Sequence, residues 1–166
     1  MVAARAIENM NLLRIDEETT ANIGIINGGT ATNIVTGEVN IIAEARSLKE
    51  NKLDVQTKHM VETFEKAAKD FGARIEIDVN RAYTPIDVSE DSEIIKLAKK
   101  AFSNLGIEGH TESTGGGSDT NILSKNGIEA ITLGIGMKNA HTLSEHIAIK
   151  DLYDSAKMVV EIIKEA

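Results

Sequence analysis

The sequence predicts an α+β fold in two parts, a ferredoxin-like unit without its first strand and then an incomplete α/β segment. Residues 1–84 give the element order αββαβ, which is a βαββαβ unit lacking the first strand. Residues 85–166 give three helices and one or two short strands, too few to close a sheet core by themselves. Pro85 is the only proline, and it marks the boundary between the two parts.

The first three elements follow the spacing of apolar residues. Residues 1–10 place apolar side chains at helical intervals, and this helix begins at Met1 with no N-capping residue. Residues 21–26 are largely apolar and end at an Asn-Gly-Gly turn. Residues 39–46 alternate between apolar and mostly polar side chains. The last two patterns predict strands.

A long helix and a further strand complete the first part. Apolar residues recur at helical intervals over 61–71, and Gly72 provides the helix stop. Residues 74–80 alternate cleanly between polar and apolar side chains. That alternation predicts a half-buried strand.

The second part contains three helical patterns around a short apolar run. Residues 89–105 have one apolar face and end at Gly106. Ser118 is a suitable N-cap for a short helix. Residues 130–135 predict a short strand, and residues 152–163 predict the closing helix.

Composition excludes several classes of function. The 166 residues carry a formal net charge of -8, which argues against nucleic acid or an anionic membrane as a partner. There is no cysteine, so there is neither a disulfide framework nor a thiolate metal site. No apolar run is long enough to span a bilayer. We therefore expect a soluble cytoplasmic protein.

The glycine run Gly115, Gly116, Gly117 opens the short helix that Ser118 caps. No lysine follows it as in a P-loop, and its spacing is not that of a dinucleotide-binding turn. It is either a tight loop into a capped helix or a cradle whose backbone amides bind a peptide or carboxylate. Asp119 is either a carboxylate favoured by the helix dipole or a group that orients a metal ligand.

Four histidines are present, and one has an informative neighbourhood. His141 and His146 flank Glu145 in a polar loop. His59 is expected at the surface and His110 at the start of a strand. A neutral imidazole is a common metal ligand, although a lone loop histidine is more often a hydrogen-bonded surface residue. Both interpretations of His141 stay open on the residues alone.

Asn33 and Arg46 are the remaining candidates. Asn33 enters a turn after the first predicted strand, and Arg46 ends the second. An arginine can bind a ligand carboxylate through two parallel hydrogen bonds. The alternative is a surface arginine paired with Glu44 or Glu50.

Taken together, these residues resemble the two-zinc exopeptidase and deacylase family that includes peptidase T, carboxypeptidase G and succinyl-diaminopimelate desuccinylase. The similarity is greatest to peptidase T-like tripeptidases. Its motifs occur in family order and cover essentially the whole chain. They are residues 28–35, residues 44–47, residues 115–121, and His141 with Glu145.

The resemblance implies a fold for each part and a role for each candidate residue. Residues 1–84 would be a ferredoxin-like lid and dimerisation domain, and residues 85–166 the C-terminal segment of a metallopeptidase catalytic domain. The substrate contacts would be Asn33, Arg46 and the glycine run of Gly115, Gly116 and Gly117. The metal ligand would be His141, with Asp119 and Glu145 supporting the metal ligands.

The same family carries a His-x-Asp strand end, a bridging Asp and an adjacent Glu pair in an N-terminal region, and a lid histidine, none of which has a counterpart here. The Glu17-Glu18 pair of this sequence precedes a predicted strand of the first part and is expected in a solvated turn. The intact enzyme would hold two zinc ions, bind small peptides and form a homodimer. We expect the isolated chain to be inactive, as a portion of a longer protein or one completed by another chain. Two alternatives stay open, a non-catalytic dimerisation or ligand-binding module and an amidase acting on N-acyl amino acids.

Overall fold

The computed structural model describes residues 1–166 and confirms the α+β class. The chain divides into two compact units, Met1–Pro85 and Ile86–Ala166. No helix has the length and apolar character needed to cross a membrane. The strands are β1 Leu13–Arg14, β2 Thr19–Gly28 and β3 Val39–Ser47, and the helices are α1 Val2–Glu8, α2 Glu50–Phe71, α3 Glu93–Asn104, α4 Asp119–Lys125 and α5 Ile149–Glu165.

The sheet of the first unit is antiparallel, with β2 between β1 and β3. Its register aligns Ala21 with Ala45 and Thr20 with Arg46. The register shifts between Ile23 and Ile25, as a β-bulge does when one strand carries an extra residue. β3 pairs only with β2, so its other edge has no strand beside it.

The core of the first unit joins α2 to the sheet. α2 ends where Gly72 adopts the left-handed conformation, with φ at 62°, as the sequence predicts. The cluster that lies beneath it consists of buried Met10, Ala21 and Met60, with Leu12, Ile15, Ile23, Ala45 and Phe64 packed against them.

α2 also fixes the chain between α1 and β1 by two hydrogen bonds to the backbone of Asn11. The buried Gln56 donates its Nε2 to the Asn11 carbonyl at 2.8 Å, and His59 Nε2 accepts the Asn11 N–H at 3.0 Å. His59 is therefore a structural residue, with its proton on Nδ1 when Nε2 accepts.

The second unit is built on the pairing of α3 with α5. Ser92 caps α3 by accepting the Ile95 N–H at 3.4 Å. Asn104 Nδ2 links the two helices by donating to Glu161 at 3.0 Å and Glu165 at 2.9 Å. The buried apolar residues of this pair are Ile95, Ala98 and Ala101 of α3 and Met158 of α5.

Two predicted strands do not form. Residues 73–80 and 130–135 lie outside every strand of the structure. Ile75, Ile77 and Val79, which the alternation predicts to be inward-facing, are exposed. A strand requires a neighbour for its backbone donors and acceptors, and these two segments have no paired neighbour. Alternation of polar and apolar residues over 74–80 was therefore insufficient to predict sheet pairing.

Candidate functional site

The glycine run leads into α4 through a capping box. Ser118 N–H donates to the Asn121 side-chain oxygen at 2.9 Å, and these two residues bracket the first turn. Thr132 lies beside this turn, with its hydroxyl 2.9 Å from that of Thr120 and 3.3 Å from that of Ser118. Hydroxyl contacts from the 130–135 segment thus hold the start of α4 in place. Sequence patterns gave no signal for Thr132.

The glycines themselves are exposed, and at Gly115 and Gly116 the packing of the chain does not require a glycine. A Cβ added at Gly115 would meet no atom within 4 Å, and one at Gly116 would meet only the Thr114 hydroxyl at 3.6 Å. The Gly116 N–H donates to that same hydroxyl at 3.3 Å, so it is not waiting unpaired for a ligand. The surface along this loop leaves room for a backbone or ligand to approach closely.

His141 lies in a tight loop whose two ends are tied together. Lys138 and His146 exchange backbone hydrogen bonds of 2.8 and 3.2 Å. Within the loop, Asn139 and His141 both have left-handed backbones, with φ at 53° and 64°. Such conformations are uncommon for residues other than glycine and cluster at functional sites.

Glu145 contacts the backbone of His141 and leaves its imidazole alone. Its Oε2 accepts the His141 N–H at 2.6 Å. The His141 ring is exposed and makes no hydrogen bond or ion pair, so both of its nitrogens are accessible to a ligand. His146 differs, because its Nδ1 lies 2.8 Å from the Ser144 carbonyl.

The metal-binding side chains of this chain do not form a complete metal centre. Within residues 1–166, no group of three or more His, Asp or Glu side chains is arranged to hold an ion. A catalytic zinc ion needs about three protein ligands. The imidazole of His141 is exposed, and its role as a metal ligand stays a prediction.

Arg46 has a carboxylate partner on its own strand. Its Nε donates to Glu44 Oε1 at 2.6 Å and its Nη2 donates to Glu44 Oε2 at 3.1 Å. These hydrogen bonds raise the pKa of Arg46 above its ordinary value. The structure thus contains the surface pairing with Glu44 that the sequence left open, and a substrate-binding role for Arg46 stays a prediction.

Asn33 and Asp119 are both exposed and make no side-chain hydrogen bond. Asn33 lies in a turn in which the Ile34 N–H donates to the Ala31 carbonyl at 3.3 Å. The turn leads into the Val39 end of β3, which lies roughly 24 Å from Arg46 along the strand, at about 3.4 Å per residue. The strand thus separates the two candidate residues of the first unit, and Asp119 forms no hydrogen bond or ion pair with a histidine.

Comparison with known proteins places the chain among peptidases. Residues 3–165 match the family model described as Peptidase family M20/M25/M40. Uncharacterized protein YqjE of Bacillus subtilis (strain 168) is 44% identical over 165 residues, which are 99% of this chain and 44% of that protein.

Two solved structures share the fold at similar identity. Aminopeptidase PepT from Bacillus cereus is 41% identical with a TM-score of 0.85, over 99% of this chain and 44% of that one. A tripeptidase from Staphylococcus aureus is 42% identical with a TM-score of 0.90, over 98% of this chain and 44% of that one. The similarity to peptidase T is thereby confirmed, and the chain spans less than half the length of these relatives.

Proposed function

The chain belongs to Peptidase family M20/M25/M40, and from this premise we propose that it is the C-terminal portion of a peptidase T-like, metal-dependent exopeptidase that hydrolyses small peptides. The observation that carries the proposal is the match to a tripeptidase structure over 98% of this chain with a TM-score of 0.90. In this proposal residues 1–84 are the lid and dimerisation domain, and residues 85–166 are the C-terminal segment of the catalytic domain.

His141 is the residue of this chain that would bind the metal. Its ring has no intramolecular partner, which is the state that a ligand imidazole needs. We propose zinc, two ions in the intact enzyme, with the other ligands and the general base supplied by polypeptide that this sequence does not contain. When bound, such ions supply an activated water for peptide hydrolysis.

Substrate would be bound by Asn33, Arg46 and the glycine run. Glu44 competes for Arg46, yet side chains that are 55% and 60% exposed form a weak pair, worth about 0–1 kcal/mol. A peptide carboxylate that reaches Arg46 in a less hydrated site can therefore displace Glu44 at small cost. The side-chain amide of Asn33 and the surface along the glycine run are exposed, so a substrate can reach them as well.

Assembly with a second copy is also part of the proposal. β3 has one unpaired edge, and such an edge is a template for another strand. The apolar residues Leu152, Val159 and Ile163 of α5 are more than half exposed. Both features support self-association, and neither requires catalytic activity.

A non-catalytic module is favoured by one observation, the lack of any three-ligand metal group among residues 1–166. An amidase of N-acyl amino acids would share the metal chemistry and differ in substrate. These alternatives make different predictions once the catalytic part of a relative is joined to this chain.

The test is a chimera in which this chain replaces the matching 44% of the Staphylococcus aureus tripeptidase. We expect the chimera to hydrolyse tripeptides with added zinc, and His141→Ala to abolish turnover. His110→Ala is the matched control, because His110 is an exposed histidine of the same unit and should leave turnover intact. A folded, metal-loaded chimera that cleaves only N-acyl amino acids would support the amidase. One that cleaves neither substrate would support the non-catalytic module.

A further inference from the structure

We propose that Glu145 is a positioning residue that fixes the backbone of His141, and through it the direction of the imidazole. The inference rests on the proposed role of His141 as a metal ligand. In the common arrangement, a carboxylate accepts a hydrogen bond from the ring nitrogen of a metal-binding histidine. Glu145 instead accepts one from the backbone N–H of His141.

The need for a restraint follows from the backbone of His141. Its φ of 64° lies in the left-handed region, which residues with a Cβ occupy rarely. In a free loop the residue would return to the more populated right-handed or extended regions. That change would rotate the Cα–Cβ bond and point the imidazole elsewhere.

Glu145 supplies that restraint from an anchored position. Its carboxylate accepts the His141 N–H at 2.6 Å, a charge-assisted hydrogen bond. Its own N–H donates to the Thr142 carbonyl at 3.1 Å, and the residue lies next to the backbone bridge between Lys138 and His146. The acceptor is thus attached to the closed end of the loop, and it holds the residue at the tip.

The Thr142 N–H and hydroxyl also close the turn around His141 by donating to the Asn139 carbonyl at 3.2 and 2.8 Å, and Glu145 is the side chain that bonds to His141 itself. The His141 ring makes no hydrogen bond, so its direction depends on the backbone that carries it. The Glu145 carboxylate bonds to the backbone N–H and not to the ring, so both ring nitrogens remain available to ligands. The arrangement orients the imidazole without occupying it.

The experiment is nuclear magnetic resonance of the 166-residue chain and two variants. Glu145→Ala should speed exchange of the His141 amide with water by roughly tenfold or more, and change the three-bond coupling that reports φ. Glu145→Gln retains an oxygen acceptor of equal reach and should restore most of both values. Glu108→Ala, which removes an exposed glutamate of the same unit, should change neither.

An unchanged His141 exchange rate and coupling in Glu145→Ala would overturn the proposal. So would a Glu145→Gln variant that behaves like Glu145→Ala, or an equal effect from Glu108→Ala. These measurements need neither metal nor substrate, so they test Glu145 whatever the chimera does. An inactive chimera with an ordered His141 loop counts only against the proposed function.

Discussion

Replacing Met60 by alanine should destabilise the first unit by about 2–4 kcal/mol. Met60 is 7% exposed and lies in the cluster that joins α2 to the sheet. The substitution removes three heavy atoms beyond Cβ, each worth about 0.8 kcal/mol in transfer from water. The cavity left behind adds to this loss unless the surrounding side chains collapse into it.

Val55→Ala is the control in the same helix, because it removes apolar atoms from a side chain that is 71% exposed. It should cost under about 0.5 kcal/mol. Hydrogen exchange of the α2 and β2 amides gives the free energy of unfolding of the first unit directly. If both substitutions lower the free energy of unfolding by the same small amount, Met60 does not contribute to the core between α2 and the sheet in the way described here.

Two further predictions concern acid and assembly. Lowering the pH should destabilise the second unit, because hydrogen bonding from Asn104 lowers the pKa of Glu161 and hydrogen bonding from Lys100 lowers that of Glu165. This stability is complete above the ordinary glutamate pKa of 4.5 and is lost as the pH falls through the lowered folded-state values. In a titration followed by circular dichroism, Asn104→Ala should lose less stability on acidification, and an identical acid profile would count against the assignment. The chain should also self-associate through the open edge of β3, which a sharp monomer mass by light scattering at micromolar concentration would contradict.

The elements that the sequence predicted well carry their own local signals. α2 ends at Gly72 because glycine adopts the left-handed conformation without steric cost. A helix was predicted from residue 89, and α3 begins after Ser92 because the Ser92 hydroxyl accepts an N–H that the helix leaves unpaired. The predictions of strands at 74–80 and 130–135 were wrong. Strand pairing depends on a neighbouring strand, and no local sequence pattern encodes the presence of that neighbour.

In the candidate site, too, the sequence predicted the features that have a local signal and missed those that depend on the folded structure. The pairing of Arg46 with Glu44 was one of two open interpretations, since residues two apart on a strand share a face. The spacing of His141 and Glu145 indicated a shared loop, but not that the carboxylate would bind a backbone N–H. The roles of Asn33 and Asp119 stay predictions, because neither side chain has a partner that would define one.

The most direct test of the central claim is a tripeptidase assay of the purified 166-residue chain, with and without added zinc or cobalt. Since His141 fits only one ligand of a metal centre and no three-ligand group exists among residues 1–166, we predict no hydrolysis under either condition. Metal-dependent turnover that survives repurification and disappears in His141→Ala would contradict the account.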